Sequence, residues 1–380
     1  MYYNTHIHTF KHEDVPERFL PFRLVRWLAK NKHSKRLIWL LNILIPFTDK
    51  DLLSRYARFL EIGKFKSQEV IFKECQKFYP ENTRFVVLPM DMKFMKAGKV
   101  PRDYTKQIEE LGNFAKTDPN VIPFFAVDPR REGVFDLLKE SVDKWNIKGI
   151  KLYAPLGYFP FDKRLYPIYE FCQENSLSVV SHCSPYNLVH FRGSKRELEL
   201  LLEDAIYPIL NPGKSKKLLC ANFAYPENYR PVLEDFPNLK ICLAHFGSGS
   251  YWEEFLDHPG EKGNWFKIIR EMIEKYDNLY TDLSFTMNNK ELYPLIKILF
   301  ENNKLAKRVL FGSDYYMVET KSNERRFGLD FRAFIGEKYF TQIAKENPER
   351  FLNIAKPANI KFGSSTNANI SSQNMANTYY

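Results

Sequence analysis

Cysteines are few in this sequence, and their spacing excludes a disulfide framework. None of them belongs to a Cys-X-X-Cys pair, and their number is odd: Cys75, Cys172, Cys183, Cys220 and Cys242. An odd, scattered set is typical of reduced thiols. The first strand-like run begins at residue 2. Cleavage of a signal peptide would remove this run, so we expect no signal peptide and a cytoplasmic location.

The sequence also lacks a nucleic-acid-binding motif, although its formal net charge is +10. Its basic residues are spread along the chain and are locally dense only over residues 23–36. We therefore expect no nucleic-acid partner, and we attribute the charge to solvating lysines and to attraction for an anionic small-molecule substrate.

The chain contains eight short apolar or β-branched runs, which are separated by segments with a helical pattern. The runs lie at residues 2–8, 84–91, 121–127, 147–153, 177–182, 239–245, 278–284 and 308–314. Such runs are typical of buried parallel strands, and their alternation with helices predicts an α/β fold, the (β/α)8 TIM barrel. A chain of 380 residues with 44% apolar content suits one such barrel with insertions.

Residues suited to metal binding stand at the carboxyl ends of these runs, where TIM barrels place their active sites. His6 and His8 end the first run, and residues i and i+2 of a strand project from one face, so both imidazoles can reach one cation. His182 ends the fifth run and Asp314 ends the eighth. We predict these four as metal ligands, with Asp314 also acting as a catalytic base.

Two further polar residues at these ends have alternative catalytic roles. Lys151, in the fourth run, points into the barrel if Ile150 and Leu152 face the helices, and a buried ammonium must be paired or modified. It either carries a carbamate that bridges two cations or binds a substrate carboxylate. His245, which ends the sixth run, either binds a second metal or hydrogen-bonds the substrate or the reacting water.

The order His-X-His, Lys, His, His, Asp resembles that of the amidohydrolase superfamily. Four segments are similar to its amidohydrolase-related branch, which includes aminocarboxymuconate-semialdehyde decarboxylase, resorcylate decarboxylases and pyrone-dicarboxylate lactonase. They are Gly-Ile-Lys-Leu-Tyr-Ala-Pro-Leu-Gly-Tyr at residues 149–158, Ala-His-Phe-Gly-Ser-Gly at 244–249, Phe-Gly-Ser-Asp at 311–314 and Asn-Pro-Glu-Arg-Phe-Leu at 347–352. The resemblance covers roughly residues 1–355, with residues 11–80 poorly matched. The resemblance implies a bound divalent cation, for which we expect Zn²⁺, and we favour one ion over two. It also implies that His245 does not bind metal but hydrogen-bonds the substrate or the reacting water.

These observations predict a metal-dependent hydrolase that acts on an amide, lactone or ester bond of a small carboxylate-bearing substrate through a metal-activated water. One alternative is metal-dependent non-oxidative decarboxylation of a small acid, and another is a non-catalytic or membrane-surface binding protein on the same barrel. Arg130 and Arg192 follow strands at the active end and are predicted to pair with a substrate carboxylate, and Tyr153 to contact a substrate ring. Solvated loop arginines and a chance aromatic neighbour are the competing interpretations.

The connection after the first strand, residues 11–80, is too long for a simple β/α link. We predict a helical insertion that covers the barrel mouth as a lid. Its most apolar run, residues 37–47, is shorter than the about 20 residues that span a bilayer. We expect this run to pack over the barrel or against a second subunit in a homodimer rather than on a membrane. Residues 356–380 are rich in Ser, Asn, Thr and Ala, so we predict a disordered tail after the barrel domain of residues 1–355.

Overall fold

Short parallel strands form the centre of the protein. The computed structural model describes residues 1–19, residue 58, residues 61–185 and residues 189–354. Within these ranges the strands are β1 (Tyr3–Ile7), β2 (Arg84–Val87), β3 (Val121–Pro123), β4 (Phe125–Val127), β5 (Gly149–Leu152), β6 (Ser178–His182), β7 (Ile241–Ala244), β8 (Leu279–Asp282) and β9 (Val309–Leu310). Each lies inside one of the eight predicted runs, and the run at 121–127 contains both β3 and β4, which Phe124 separates. The predicted strands are therefore confirmed.

The strands close into a barrel. The pairing order is β1-β2-β3 in one sheet and β4 through β9 in the other, and every pair is parallel. The chain after β9 returns to β1: Phe311 O accepts a hydrogen bond from Thr5 N at 2.9 Å, and Asp314 N donates to His6 O at 2.8 Å. The backbone N–H of Phe124 donates to Val87 O at 3.1 Å and joins the two sheets. These bonds complete the predicted TIM barrel.

Helices cover the outside of the barrel. Those in the described residues are α1 (Gln68–Gln76), α2 (Tyr104–Thr117), α3 (Val134–Trp145), α4 (Tyr166–Glu174), α5 (Lys195–Leu202), α6 (Lys216–Leu219), α7 (Arg230–Asp235), α8 (Gly249–Asp257), α9 (Trp265–Lys275), α10 (Tyr293–Leu299), α11 (Asn303–Ala306), α12 (Glu324–Thr341) and α13 (Asn347–Phe351). Helix α2 shows how the sequence specifies them. Asp103 caps its first turn by accepting from Thr105 N, and Ile108 and Leu111 form part of its buried face.

The core has an inner and an outer layer, which strand alternation separates. Ile150 and Leu152 belong to the outer layer, between strands and helices. The inner layer fills the barrel and comprises Tyr3, Val86, Leu88, Ile122, Phe124, Val180, Cys242, Ala244, Tyr280, Leu310, Phe351 and Leu352. Phe351, at the end of α13, closes the amino end of the barrel, because its carbonyl accepts from Ser178 Oγ at the start of β6. The polar residues discussed below therefore lie at the opposite, carboxyl end.

The predicted insertion falls mostly outside the described residues. Residues 20–57 and 59–60, which include the apolar run at 37–47, and residues 355–380, which include the predicted tail, are not described. The start of the insertion is described, and it lies at the carboxyl end of the barrel, because Arg192 Nη1 donates to Arg18 O and Phe19 O at 2.8 Å each. The lid remains a prediction. Among the described helices, none is both long and apolar enough to cross a bilayer.

Candidate metal centre

The barrel brings a cluster of buried polar side chains together at the carboxyl ends of its strands. Each member is at most 9% exposed. The members are His6 on β1, His8 after β1, Lys151 on β5, His182 on β6, His245 after β7, Asp282 on β8 and Asp314 after β9. All six of the residues predicted as metal-binding or catalytic belong to this cluster. Asp282 is the member that was not predicted.

The ring of His6 is oriented by a carboxylate two strands away in the barrel, Asp282 on β8. His6 Nδ1 lies 2.8 Å from Asp282 Oδ2, and a carboxylate oxygen can only accept, so Nδ1 carries the proton. The lone pair is therefore on Nε2, which lies 3.9 Å from Asp314 Oδ1. His6 thus presents a metal-ligating nitrogen toward the Asp314 carboxylate.

His8 is oriented in the same sense by the backbone. Its Nδ1 donates to the carbonyl oxygen of Leu88 at 2.7 Å, which places the lone pair on Nε2. His8 Nε2 faces Asp314 Oδ1 at 3.4 Å, and Asp314 Oδ1 makes no hydrogen bond with any described residue. Two acceptor atoms that face each other in a buried site need a cation or a proton between them. His6, His8 and Asp314, whose ligand atoms all lie within 4.8 Å of one another, therefore fit a divalent metal.

Burial keeps the two imidazoles in the neutral form that metal binding requires. Desolvation, reinforced by the nearby Lys151, lowers the pKa of His6 to about 3. Desolvation and His6 lower the pKa of His8 well below its ordinary value. Both imidazoles are therefore neutral at physiological pH, as ligands must be. Burial raises the pKa of Asp314 well above its ordinary value, and the charge of Lys151 opposes that rise only in part.

Lys151 projects into the barrel beside the candidate ligands. Its side chain is 1% exposed, and Nζ lies 3.4 Å from His6 Nε2. Desolvation lowers the pKa of Lys151 to about 8, against the opposing attraction of Asp282 and Asp314. An amine with this pKa can reach both protonation states near neutral pH. The neutral amine can react with CO₂ to form a carbamate, and the ammonium can bind an anion. Both roles stay open for Lys151.

His182 and His245 form a pair next to this group. His245 Nε2 lies 3.0 Å from His182 Nδ1, and the His182 ring stacks on Tyr153 with centroids 4.4 Å apart. Two groups of described residues have ligand atoms within 4.8 Å of one another, namely His6 with His8 and Asp314, and His6 with His245 and Asp282. His182, predicted as a ligand, belongs to neither group. Its metal-binding role remains a prediction.

The sequence itself carries a signal for Asp282. Asp282 lies near the end of the seventh apolar run, at the same end of the barrel as the predicted ligands. The strand-end rule that selected His182 and Asp314 applies equally to Asp282. Its partner, His6, is 276 positions away in the sequence, so only barrel closure reveals the contact.

The predicted substrate arginines are engaged with protein groups. Arg130 forms a fork with Asp128, with Nε and Nη2 at 2.8 and 2.6 Å from its two oxygens. Arg192 Nη1 donates to the two backbone carbonyls at residues 18 and 19. Of the three predicted substrate-binding residues, Tyr153 is the one that contacts the cluster directly, through its stack on His182. The substrate roles of Arg130, Tyr153 and Arg192 stay predictions.

A sequence model of the amidohydrolase family matches residues 110–354. No curated protein matches the chain in sequence. Among solved structures, the chain is similar to an uncharacterized TIM-barrel protein from Bordetella bronchiseptica, with 17% identity, a TM-score of 0.52, and coverage of 93% of this chain and 98% of that one.

Two further solved structures are similar in fold. One is 5-carboxyvanillate decarboxylase from Novosphingobium aromaticivorans, complexed with manganese and 4-hydroxy-3-methoxy-5-nitrobenzoic acid, with 12% identity, a TM-score of 0.56, and coverage of 93% of this chain and 96% of that one. The other is an amidohydrolase from Burkholderia multivorans with bound zinc, with 11% identity, a TM-score of 0.53, and coverage of 93% and 99%. At these identities the likeness concerns the fold.

Proposed function

Because this chain belongs to the amidohydrolase family, we propose that it is a metal-dependent hydrolase that cleaves an amide, lactone or ester bond in a small carboxylate-bearing substrate. The observation that carries the proposal is the environment of Asp314. This buried carboxyl group faces two neutral imidazoles, has a raised pKa, and has an oxygen without a hydrogen-bond partner among the described residues.

The proposed metal ligands are His6 Nε2, His8 Nε2 and Asp314 Oδ1, with His182 as the fourth. Imidazole nitrogens with one carboxylate are the donor set typical of catalytic zinc, so Zn²⁺ is the proposed ion, and one ion per chain is the proposed content. When bound there, such a cation would acidify a water molecule and polarise a substrate carbonyl. The manganese and zinc of the two structural neighbours make metal analysis the first measurement.

Asp314 is the proposed proton carrier. A carboxylate acts as a base on water when it lies beside the reacting oxygen, and a raised pKa makes it a better proton acceptor. Asp314 would accept the proton of the attacking water and return it to the leaving nitrogen or oxygen when the carbonyl carbon loses that group. The same residue would thus act in both halves of the reaction.

Lys151 and His245 are the proposed substrate-orienting groups. An ammonium at Lys151, 3.4 Å from His6 Nε2, would hold a substrate carboxylate next to the ligands. Arg130 and Arg192 are engaged with Asp128 and with backbone carbonyls, so Lys151 is the described cation best placed for this role. His245 would hydrogen-bond the substrate or the reacting water.

The proposal is tested by metal analysis followed by a substrate screen. Purified protein is expected to hold about one metal per chain and to hydrolyse one or more members of a panel of carboxylate-bearing lactones, amides and esters. Removal of the metal with a chelator should abolish the activity, and Zn²⁺ should restore it. An exposed-histidine variant, His258→Ala, serves as the control that retains both metal and activity. Metal-free protein that still hydrolyses these substrates would contradict the proposal.

Non-oxidative decarboxylation of a small aromatic acid is a second candidate, and the stacked rings at the site favour it. Tyr153 and His182 lie face to face at 4.4 Å with an interplanar angle of 25°, and such a surface suits an aromatic ring. In this reaction the C–C bond to the carboxylate breaks, CO₂ leaves, and the pair His182 and His245 would deliver a proton to the ring carbon. Release of CO₂ from hydroxybenzoates or muconate-like acids, without hydrolysis of the first panel, would select this reaction.

A further inference from the structure

We infer that Asp282 is a positioning residue that fixes the tautomer of His6 and the backbone of His245, and so couples a metal ligand to the neighbouring catalytic histidine. The inference rests on the metal centre proposed above, but it concerns a residue outside the proposed ligand set.

Both carboxylate oxygens of Asp282 accept hydrogen bonds, one from His6 and the other from His245 and Ser284. Oδ2 accepts from His6 Nδ1 at 2.8 Å. Oδ1 accepts from His245 N at 2.9 Å, from Ser284 N at 3.1 Å and from Ser284 Oγ. The side chain is completely buried, so no solvent competes for these bonds.

This pattern is the opposite of that at Asp314. Each oxygen of Asp282 accepts at least one hydrogen bond from a protein donor. At Asp314, by contrast, Oδ1 has no donor among the described residues. The hydrogen bonds thus suit the two aspartates to different roles: Asp282 orients its neighbours, and Asp314 has an oxygen for the proposed metal. Although His6, His245 and Asp282 are close enough to hold a second cation, binding it would sacrifice the hydrogen bonds that Asp282 already accepts.

The first consequence concerns the lone pair of His6. A neutral imidazole has one protonated and one ligating nitrogen, and the hydrogen bond at one nitrogen determines which is which. Because a carboxylate oxygen accepts and Asp282 Oδ2 lies 2.8 Å from His6 Nδ1, His6 carries its proton on Nδ1 and presents Nε2 to the proposed metal. An amide at this position could donate instead, which would move the His6 proton to Nε2 and block ligation.

The second consequence concerns the backbone at His245. This residue has a φ of 69°, in the left-handed region that favours glycine. The hydrogen bond from His245 N to Asp282 Oδ1 holds the strained turn in place. Ser284 Oγ extends the link, since it lies 3.0 Å from His245 Nδ1 and 3.1 Å from His6 Nδ1.

The test compares Asp282→Asn with the matched control Asp118→Asn. Asp118 is also a buried aspartate, with a lysine partner at 2.6 Å, but it precedes β3 at the amino end of the barrel. Zn²⁺ affinity is measured by competition with a chelator, and the His6 tautomer is measured by ¹⁵N NMR of histidine-labelled, metal-free protein. The His6 signal is assigned by its loss in His6→Gln.

We expect wild type and Asp118→Asn to carry the His6 proton on Nδ1 and to bind Zn²⁺ with equal affinity. Asp282→Asn should shift the proton toward Nε2 and weaken Zn²⁺ binding by about 10- to 100-fold, the range typical of partners that orient a metal ligand. Asp282→Glu, which retains the carboxylate, should recover part of the Nδ1 tautomer.

The tautomer measurement separates this inference from the proposed function. If wild type binds no metal but Asp282→Asn still moves the proton, the inference stands and the proposed function fails. If wild type binds Zn²⁺ and Asp282→Asn changes neither the tautomer nor the affinity, the inference fails and the proposed function stands. A wild-type His6 with its proton on Nε2 refutes the inference even if Asp282→Asn does not fold.

Discussion

His182 Nδ1 lies 3.0 Å from His245 Nε2, and the partners of His245 decide which nitrogen donates. His245 Nδ1 lies 3.0 Å from the carbonyl oxygen of Ser284, which can only accept, so Nδ1 carries the proton and Nε2 is an acceptor. His182 must then donate from Nδ1 and keep its lone pair on Nε2. This assignment places the lone pair of His182 on Nε2, the nitrogen that would ligate a metal, and leaves His245 outside the proposed ligand set.

Substitution of the two histidines should therefore have different effects. We expect His182→Ala to lower metal affinity and activity together, because a ligand is lost. We expect His245→Ala to retain the metal and to lose kcat. Metal content and steady-state kinetics of both variants, beside the exposed control His258→Ala, test the assignment. The reverse pattern, with metal lost only in His245→Ala, would show that His245 is the ligand.

Removal of His6 or Asp314 should empty the centre. His6→Ala and Asp314→Ala are each expected to lose metal and activity by more than the about 100-fold typical of an outer-shell change. The fold should persist, because the barrel contains a large apolar core independent of these side chains. Elemental analysis reports the metal, and circular dichroism reports the fold. Either variant holding one metal per chain would remove that residue from the ligand set.

Substitution of Lys151 should distinguish one metal from two. If the site holds one metal, Lys151→Ala should keep it and mainly raise KM, since the carboxylate-binding ammonium is lost. If a carbamate on Lys151 bridges two metals, native mass spectrometry should detect the added mass, wild type should hold about two metals, and Lys151→Ala should lose them. Lys148→Ala, at an exposed position near the start of the same strand, is the control.

Glu324 should make stability depend on pH. Burial raises the pKa of this carboxyl from 4.5 to about 7, and its Oε1 accepts from Tyr79 Oη at 2.5 Å. A carboxyl with a raised folded pKa contributes its full stability below the unfolded pKa of 4.5 and loses it as the pH rises through about 7. The loss is on the order of 3 kcal/mol.

We expect Glu324→Gln, which stays neutral, to lose less stability than wild type over this pH window. Denaturant unfolding of both proteins at several pH values measures the difference. Glu349→Gln, on helix α13 and without the buried environment of Glu324, should follow wild type. Parallel pH profiles for wild type and Glu324→Gln would contradict a raised pKa at Glu324.

The sequence alone was sufficient to predict the barrel and its active end. The pattern of β-branched and apolar runs separates strands from helices, and each described strand lies inside a predicted run. Strand alternation also predicts that Ile150 and Leu152 face outward while Lys151 faces inward, because successive side chains point to opposite faces. These features depend on local periodicity, which any stretch of the chain carries by itself.

Only the tertiary structure decided how the polar residues pair with one another. The fork of Arg130 with Asp128 depends on the rotamers of the two side chains. The contact of His6 with Asp282 depends also on closure of the barrel, which brings together strands that are far apart in the sequence. The lack of a hydrogen-bond partner for Asp314 Oδ1 among the described residues likewise depends on the side chains around it. The position of a residue at a strand end determines that its side chain reaches the carboxyl end of the barrel. Which carboxylate orients a histidine, and which keeps an oxygen without a donor among the described residues, depends on the donors that closure of the barrel brings within reach.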